Sequence, residues 1–185
     1  MSIEQITPPA VLAVSLAHAK ETLRITHGAL DATITLWLES ITEEAEHAVG
    51  RSFINQGWRL TLDRFGDAIR LSSPPTVSVE SLKYFDADNA EQTLDPADYF
   101  VDTKSLPGFI VPAVGKAWPP TYDRPNALTV EYTCGYGPTD VRVPKCVKQY
   151  ILARLIDQFD AATGEFKETP RSKYIDRLLD RVRVY

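Results

Sequence analysis

Asp86 and Asp88 open a stretch that begins like a calcium-binding loop, in which alternating carboxylates supply oxygen ligands. Such a loop needs Gly at its sixth position and Glu at its twelfth. Here those positions hold Glu91 and Ala97, so Asp86-Ala87-Asp88-Asn89 reads as a hairpin turn held by side-chain-to-backbone bonds. Gly135-Tyr136-Gly137 has two glycines of a dinucleotide-binding turn but lacks the third. Pro144, not a phosphate-facing glycine turn, opens the helix that follows, which makes this a strand-to-helix turn. His18, His27 and His47 form no His-x-x-x-His pair and stand beside no cysteine at metal-ligand spacing. Cys134 and Cys146 would act as nucleophiles only with a base nearby. Cys146, in the first turn of a helix where the thiol pKa can fall, is the better placed, but both read as small packing residues. Glu43, Glu44 and Glu46 crowd the polar face of a helix, where carboxylates are normally solvated. No catalytic constellation emerges, so an enzyme, a metal and a cofactor are all unexpected.

The elements that carry these residues change in pattern along the chain. Residues 1–14, with Pro8-Pro9, read as an extended arm. Ser15 is an N-cap for a helix from Leu16 to Ile25, with Leu16, Ala19 and Leu23 on one face. Gly28 breaks it. Asp31 caps a longer helix with an apolar stripe at Ile34, Leu38, Ile41, Ala45 and Ala48. Its polar remainder includes Glu39, Glu43, Glu44 and Glu46, and Gly50 suits a left-handed C-terminal position. From Trp58 the period shortens to two. Short runs at 58–62, 68–71, 77–79 with 82–85 (one strand or two), 99–101, 109–111 and 128–133 are broken by Pro and Gly, as in a compact antiparallel sheet or small barrel. Pro144 restarts a helix with Val147, Ile151, Leu155 and Phe159 on one face. A last helix runs from about Ser172 with Ile175, Leu178, Leu179 and Val182 apolar. The expected class is α+β: two N-terminal and two C-terminal helices (1–55 and 141–185) around an inserted β subdomain (56–140).

Composition places limits on function. With 185 residues, 44% hydrophobic and 24% charged, the chain has ordinary globular usage. A net charge of −5 argues against a general nucleic-acid binder. The charge is uneven. From Arg171 onward five basic residues (Arg171, Lys173, Arg177, Arg181, Arg183) face two acidic ones (Asp176, Asp180), which leaves the remainder at −8. A basic end on an acidic body is a handle for an acidic partner. No signal peptide or membrane-length apolar run is evident, and two cysteines make no disulfide framework, so assembly in the cytoplasm is expected. Trp58 points to the β core. Trp118, in Trp-Pro-Pro-Thr-Tyr with Tyr122, marks either a contact surface or a cover for the edge of its own sheet.

Several motifs in order resemble one family. They are Leu16-Ala17-His18-Ala19-Lys20-Glu21-Thr22-Leu23-Arg24-Ile25, the acidic helix ending Val49-Gly50-Arg51-Ser52-Phe53-Ile54, Pro74-Pro75-Thr76-Val77-Ser78-Val79 leading to Tyr84-Phe85-Asp86, Trp118-Pro119, Val130 to Gly137 followed by Val143-Pro144, and the closing Leu178-Leu179 before an arginine-bearing tail. The set resembles the head–tail connector family of tailed bacteriophages and phage-like gene transfer agents, also called adaptor or head-completion proteins. Only the stretch from Phe159 to Arg171 departs from the pattern. The resemblance implies a structural virion protein of the neck that forms a ring, about twelve-fold, beneath the portal. It implies a ring that extends the DNA channel, lets genomic DNA pass without sequence-specific binding, and offers a docking face to a tail-side stopper protein. It implies no cofactor and no membrane. On this reading Arg177, Arg181, Arg183 and Tyr185 would contact the portal, their segment ordering on binding. Glu39, Glu43, Glu44 and Glu46 would face a neighbouring subunit or the channel. A stopper or tail-completion protein of the neck is the alternative, and a carbohydrate-binding β module using Trp118 and Tyr122 a more distant one.

Overall fold

The computed structural model describes residues 2–164, 175 and 177–184. The chain divides into two compact units, each made of discontinuous pieces: Met1–Pro9 with Asn55–Gly135, and Ala10–Ile54 with Tyr136–Tyr185.

The first unit is antiparallel throughout. Strands β1 (Ser2–Thr7), β2 (Gln56–Leu62), β4 (Thr76–Phe85), β5 (Glu91–Thr93) and β8 (Leu128–Cys134) form a sheet in the order β1-β2-β8-β4-β5. β3 (Ile69–Arg70), β6 (Tyr99–Asp102) and β7 (Phe109–Pro112) form a second, in the order β3-β7-β6. The period of two works as strand geometry demands. Along β8, Leu128, Val130, Tyr132 and Cys134 are buried and Thr129, Glu131 and Thr133 are not. Leu60, Leu82 and Val130 from the larger sheet join Ile69, Tyr99 and Ile110 from the smaller in one buried cluster. On the opposite face of the larger sheet, register places Glu4, Arg59 and Glu131 side by side. Arg59 lies 3.5 Å from Glu4 and 2.8 Å from Glu131, exposed ion pairs of small energetic weight.

Two features of this unit sharpen the expectation. The N-terminal arm is indeed extended, but Ser2–Thr7 is a strand paired to β2 rather than a free segment. Residues 76–85 form one strand, which decides between the one or two strands expected there. It stays continuous because irregularities at 76–78 and 79–81 absorb the break in register against β8.

The second unit packs α1 (Leu16–Thr22), α2 (Asp31–Val49) and α3 (Lys145–Thr163) around Ile34, Leu38, Ile41, Ala45, Val147, Ile151 and Leu155. Ser15 caps α1, its hydroxyl accepting from His18 N at 3.3 Å. The helix ends before Gly28. Arg24 takes the left-handed conformation (φ 57°), and Ile25 N donates to Lys20 O while Arg24 N donates to Glu21 O. That is a Schellman closure without glycine. Asp31 is not the cap of α2. Leu30 holds that position without a side-chain bond, and Asp31 in the first turn meets Lys20 at 2.6 Å. Val49, not Ala48, completes the buried stripe. The two lie almost equally far from the centre of the stripe, and the larger side chain gains more from burial. Gly50 ends α2 in the left-handed conformation (φ 67°), as its position predicts. The start of the expected fourth helix falls outside the described residues. Ile175 and Arg177 are helical and residues 178–182 form turns, with Leu179 and Val182 buried in the helical core.

Candidate interaction surfaces

The four α2 glutamates divide by what they touch. Glu46 accepts from Phe53 N at 2.5 Å and so fixes the reversal of the chain after the helix. Glu44 meets Arg154 of α3 at 3.2 Å. Glu39 and Glu43 are exposed on the face turned away from the core stripe. The set read as one acidic face is thus two internal ties and two outward carboxylates.

At the C-terminal end Arg177, Arg181 and Arg183 are exposed. Arg183 lies 3.7 Å from Asp180. Tyr185 lies outside the described residues. The arginines do not extend from a free tail. Leu179 and Val182 between them are 3% and 7% exposed, and Val184 N donates to Val49 O at 3.0 Å. Alternation of apolar and basic residues thus seats one side of the segment and presents the other.

Trp118 and Tyr122 differ in exposure: Trp118 is partly buried and Tyr122 is 44% exposed. Trp118 stacks on Phe65, with centroids 4.5 Å apart and planes 10° from parallel, and packs against the β core. Tyr122 N donates to Phe85 O at 3.0 Å, and the neighbouring Arg124 lies 4.2 Å over the Phe85 ring while bonding Asn89 at 3.1 Å. Trp118 thus covers part of its own sheet, while Tyr122 remains at the surface.

The groups with chemical potential are sequestered or dispersed. Cys134 is buried, and desolvation pushes its thiol up to about 12, so it stays protonated and unreactive. Burial likewise raises the Tyr132 and Tyr136 hydroxyls, for Tyr136 against the opposing pull of Arg51. His18, His27 and His47 are all exposed, and among the described residues no cluster of His, Cys, Asp or Glu is arranged to hold a metal. Asp86 does build a turn: its carboxylate accepts from Asp88 N and Ala90 N at 3.0 Å each and from Gln92 at 2.8 Å.

Leu36 and Phe100 are among the exposed apolar residues that the sequence reading did not single out. Leu36 on α2 is 62% exposed and Phe100 on β6 is 61% exposed. Leu36 was legible, since it falls opposite the Ile34–Leu38–Ile41–Ala45 stripe. Phe100 was not, because Tyr99-Phe100-Val101 is apolar throughout and gives no alternation to read.

No protein-family model matches this chain, and no curated protein matches it in sequence. Its fold is nevertheless shared with chains of known structure. One belongs to the neck of an empty GTA particle computed with C6 symmetry, at 20% identity and a TM-score of 0.81. A second belongs to the virion of a native gene transfer agent (GTA) particle, at 21% identity and a TM-score of 0.79. A third belongs to the neck of a native GTA particle computed with C12 symmetry, at 19% identity and a TM-score of 0.76. Each match covers 100% of this chain and 96% of the other. At this identity the likeness establishes the fold: the helical unit and its inserted sheets are common to all of them from end to end.

Proposed function

We propose that this chain is a structural protein of a virion neck, an adaptor whose copies form a ring beneath the portal, extend the DNA channel and offer a docking face to the tail. The observation that carries this reading is the end-to-end fold likeness to chains from necks computed with C6 and C12 symmetry. The buried Cys134 and the dispersed histidines agree with a function that rests on contact geometry. The partners are the portal, further copies of the chain and a tail-side neck protein, with DNA passing through unread.

The portal contact in this reading is the basic C-terminal end: Arg177, Arg181, Arg183 and Tyr185. The three arginines are exposed on a segment anchored by Leu179 and Val182, so their charge is presented from a fixed place. Deleting the segment would also remove core residues, so the informative change is to charge alone. Full-length protein and the Arg177→Glu, Arg181→Glu, Arg183→Glu variant would be incubated with portal rings of the same particle and imaged by electron microscopy. A ring stacked on the portal, lost in the variant, is the expected result. Binding to the tail-side component but not to the portal would assign the chain to the stopper or tail-completion role instead. No complex with either component would overturn the neck reading.

A further inference from the structure

A head-to-tail ring needs two different patches on every subunit, one for each neighbour, and the two must be complementary. Each compact unit of this chain carries one such patch.

The first is the outer face of the three-stranded sheet. Register sets Phe100 beside Val111, with Arg70, Phe109 and Asp102 in the next row on the same face. The opposite face, with Ile69, Tyr99 and Ile110, is buried in the β core. Phe100, on the edge strand β6, is left 61% exposed beside Val111 and Phe109 of β7. The two charges beside it differ in availability. Asp102 is turned into its own loop, accepting from Lys104 N at 2.8 Å, Ser105 N at 3.1 Å and the Ser105 hydroxyl at 2.5 Å. Arg70 is exposed, so the row has a free cation at one end and, at the other, a carboxylate already bonded within its own loop.

The second patch is the outward stripe of α2. Leu36 stands on it 62% exposed, flanked at helical spacing by Glu39 and Glu43. Glu44 and Glu46 are engaged within the subunit, so the outward charge is that of Glu39 and Glu43. This patch has an apolar centre and a negative rim.

Building on the ring reading, we propose that the Phe100 face of one subunit docks on the Leu36 stripe of the next, with Arg70 against Glu39 and Glu43. Phe100 and Leu36 supply the desolvated centre, and the charges around them set register. The contact joins two different surfaces and sets unlike charges together, the heterologous kind of contact from which a ring is built.

The test is a charge exchange. Full-length wild type, Arg70→Glu, Glu39→Lys/Glu43→Lys, and the chain carrying all three changes would be followed by sedimentation velocity and electron microscopy, with and without portal rings. All three positions are exposed, so unchanged thermal melting serves as the control for folding. Each partial variant alone should associate about tenfold or more weakly than wild type. The fully exchanged chain should assemble again, and so should a mixture of the two partial variants, which pair in alternation. Rings of wild type together with unimpaired partial variants would overturn this contact and leave the ring reading standing. Loss in both partial variants without recovery in the mixture or the full exchange would overturn the pairing of these two patches. Wild type that never associates, with or without the portal, would overturn the ring reading and this contact with it.

Discussion

Glu43 and Glu46 lie three residues apart on α2 with the same carboxylate, yet only Glu46 reaches Phe53 N. Neighbouring residues cannot say which glutamate will do so, because the donor arrives by way of the turn at Gly50. A carboxylate bonded to a partly buried backbone N–H is worth about 2 kcal/mol, whereas an exposed side chain is worth about 0.5 kcal/mol or less. Glu46→Ala should therefore destabilise the protein by about 2 kcal/mol in urea unfolding, while Glu43→Ala leaves it unchanged within about 0.5 kcal/mol. Equal losses would mean that the Phe53 contact contributes nothing. Ser15 and Gly50 are the contrary case. Capping and left-handed closure are settled within a few residues, and both positions were legible in the sequence. Arg24 was not, since nothing in its type marks it for φ 57°.

The hairpin joining β4 to β5 is an element closed by one side chain. Asp86 accepts from Ala90 N first, then from Gln92 and Asp88 N, and these bonds hold its carboxyl below the ordinary carboxylate value. Its folded pKa therefore lies below its unfolded one. The stability these bonds give the turn is present above the ordinary carboxylate range and is lost as pH falls through the folded value. Hydrogen exchange at Asp88 N and Ala90 N, corrected for intrinsic rates, should lose protection on acidification, and Asp86→Asn should flatten that dependence. The same pH dependence in the Asn variant would show that another group closes the turn. The turn was legible from Asp86-Ala87-Asp88-Asn89, and so was the alternation of β2 and β8. β1 and β5 were missed because edge strands with mixed polar sequences carry little periodicity of their own. They are strands because β2 and β4 offer them free edges.

Across the whole molecule, both units are completed by distant pieces of chain. The strand at Ser2–Thr7 pairs with residues 57–61, and the helical core includes Leu179 and Val182 as well as the residues of α2. Removing part of a fully packed aliphatic side chain costs about 2–3 kcal/mol, while an exposed arginine contributes little. Leu179→Ala should accordingly lower helical stability by about 2–3 kcal/mol, read by far-ultraviolet circular dichroism, and Arg181→Ala should not. A neutral Leu179→Ala would mean that the C-terminal segment leaves the core in solution. The sequence by itself determined the α+β class, Ile34, Leu38, Ile41 and Ala45 of the α2 stripe, Val147, Ile151 and Leu155 of α3 (though not its buried Tyr150, nor the half-buried state of Phe159), and most central strands. Each of these is encoded by a local period or by spacing within one segment. Only the tertiary structure decided that the N-terminal arm is a strand, that the basic end is anchored, which glutamates remain outward, and that Phe100 stays uncovered. Burial, strand pairing and charge partnership depend on residues far apart in the chain, and no window along the sequence contains both members of such a contact.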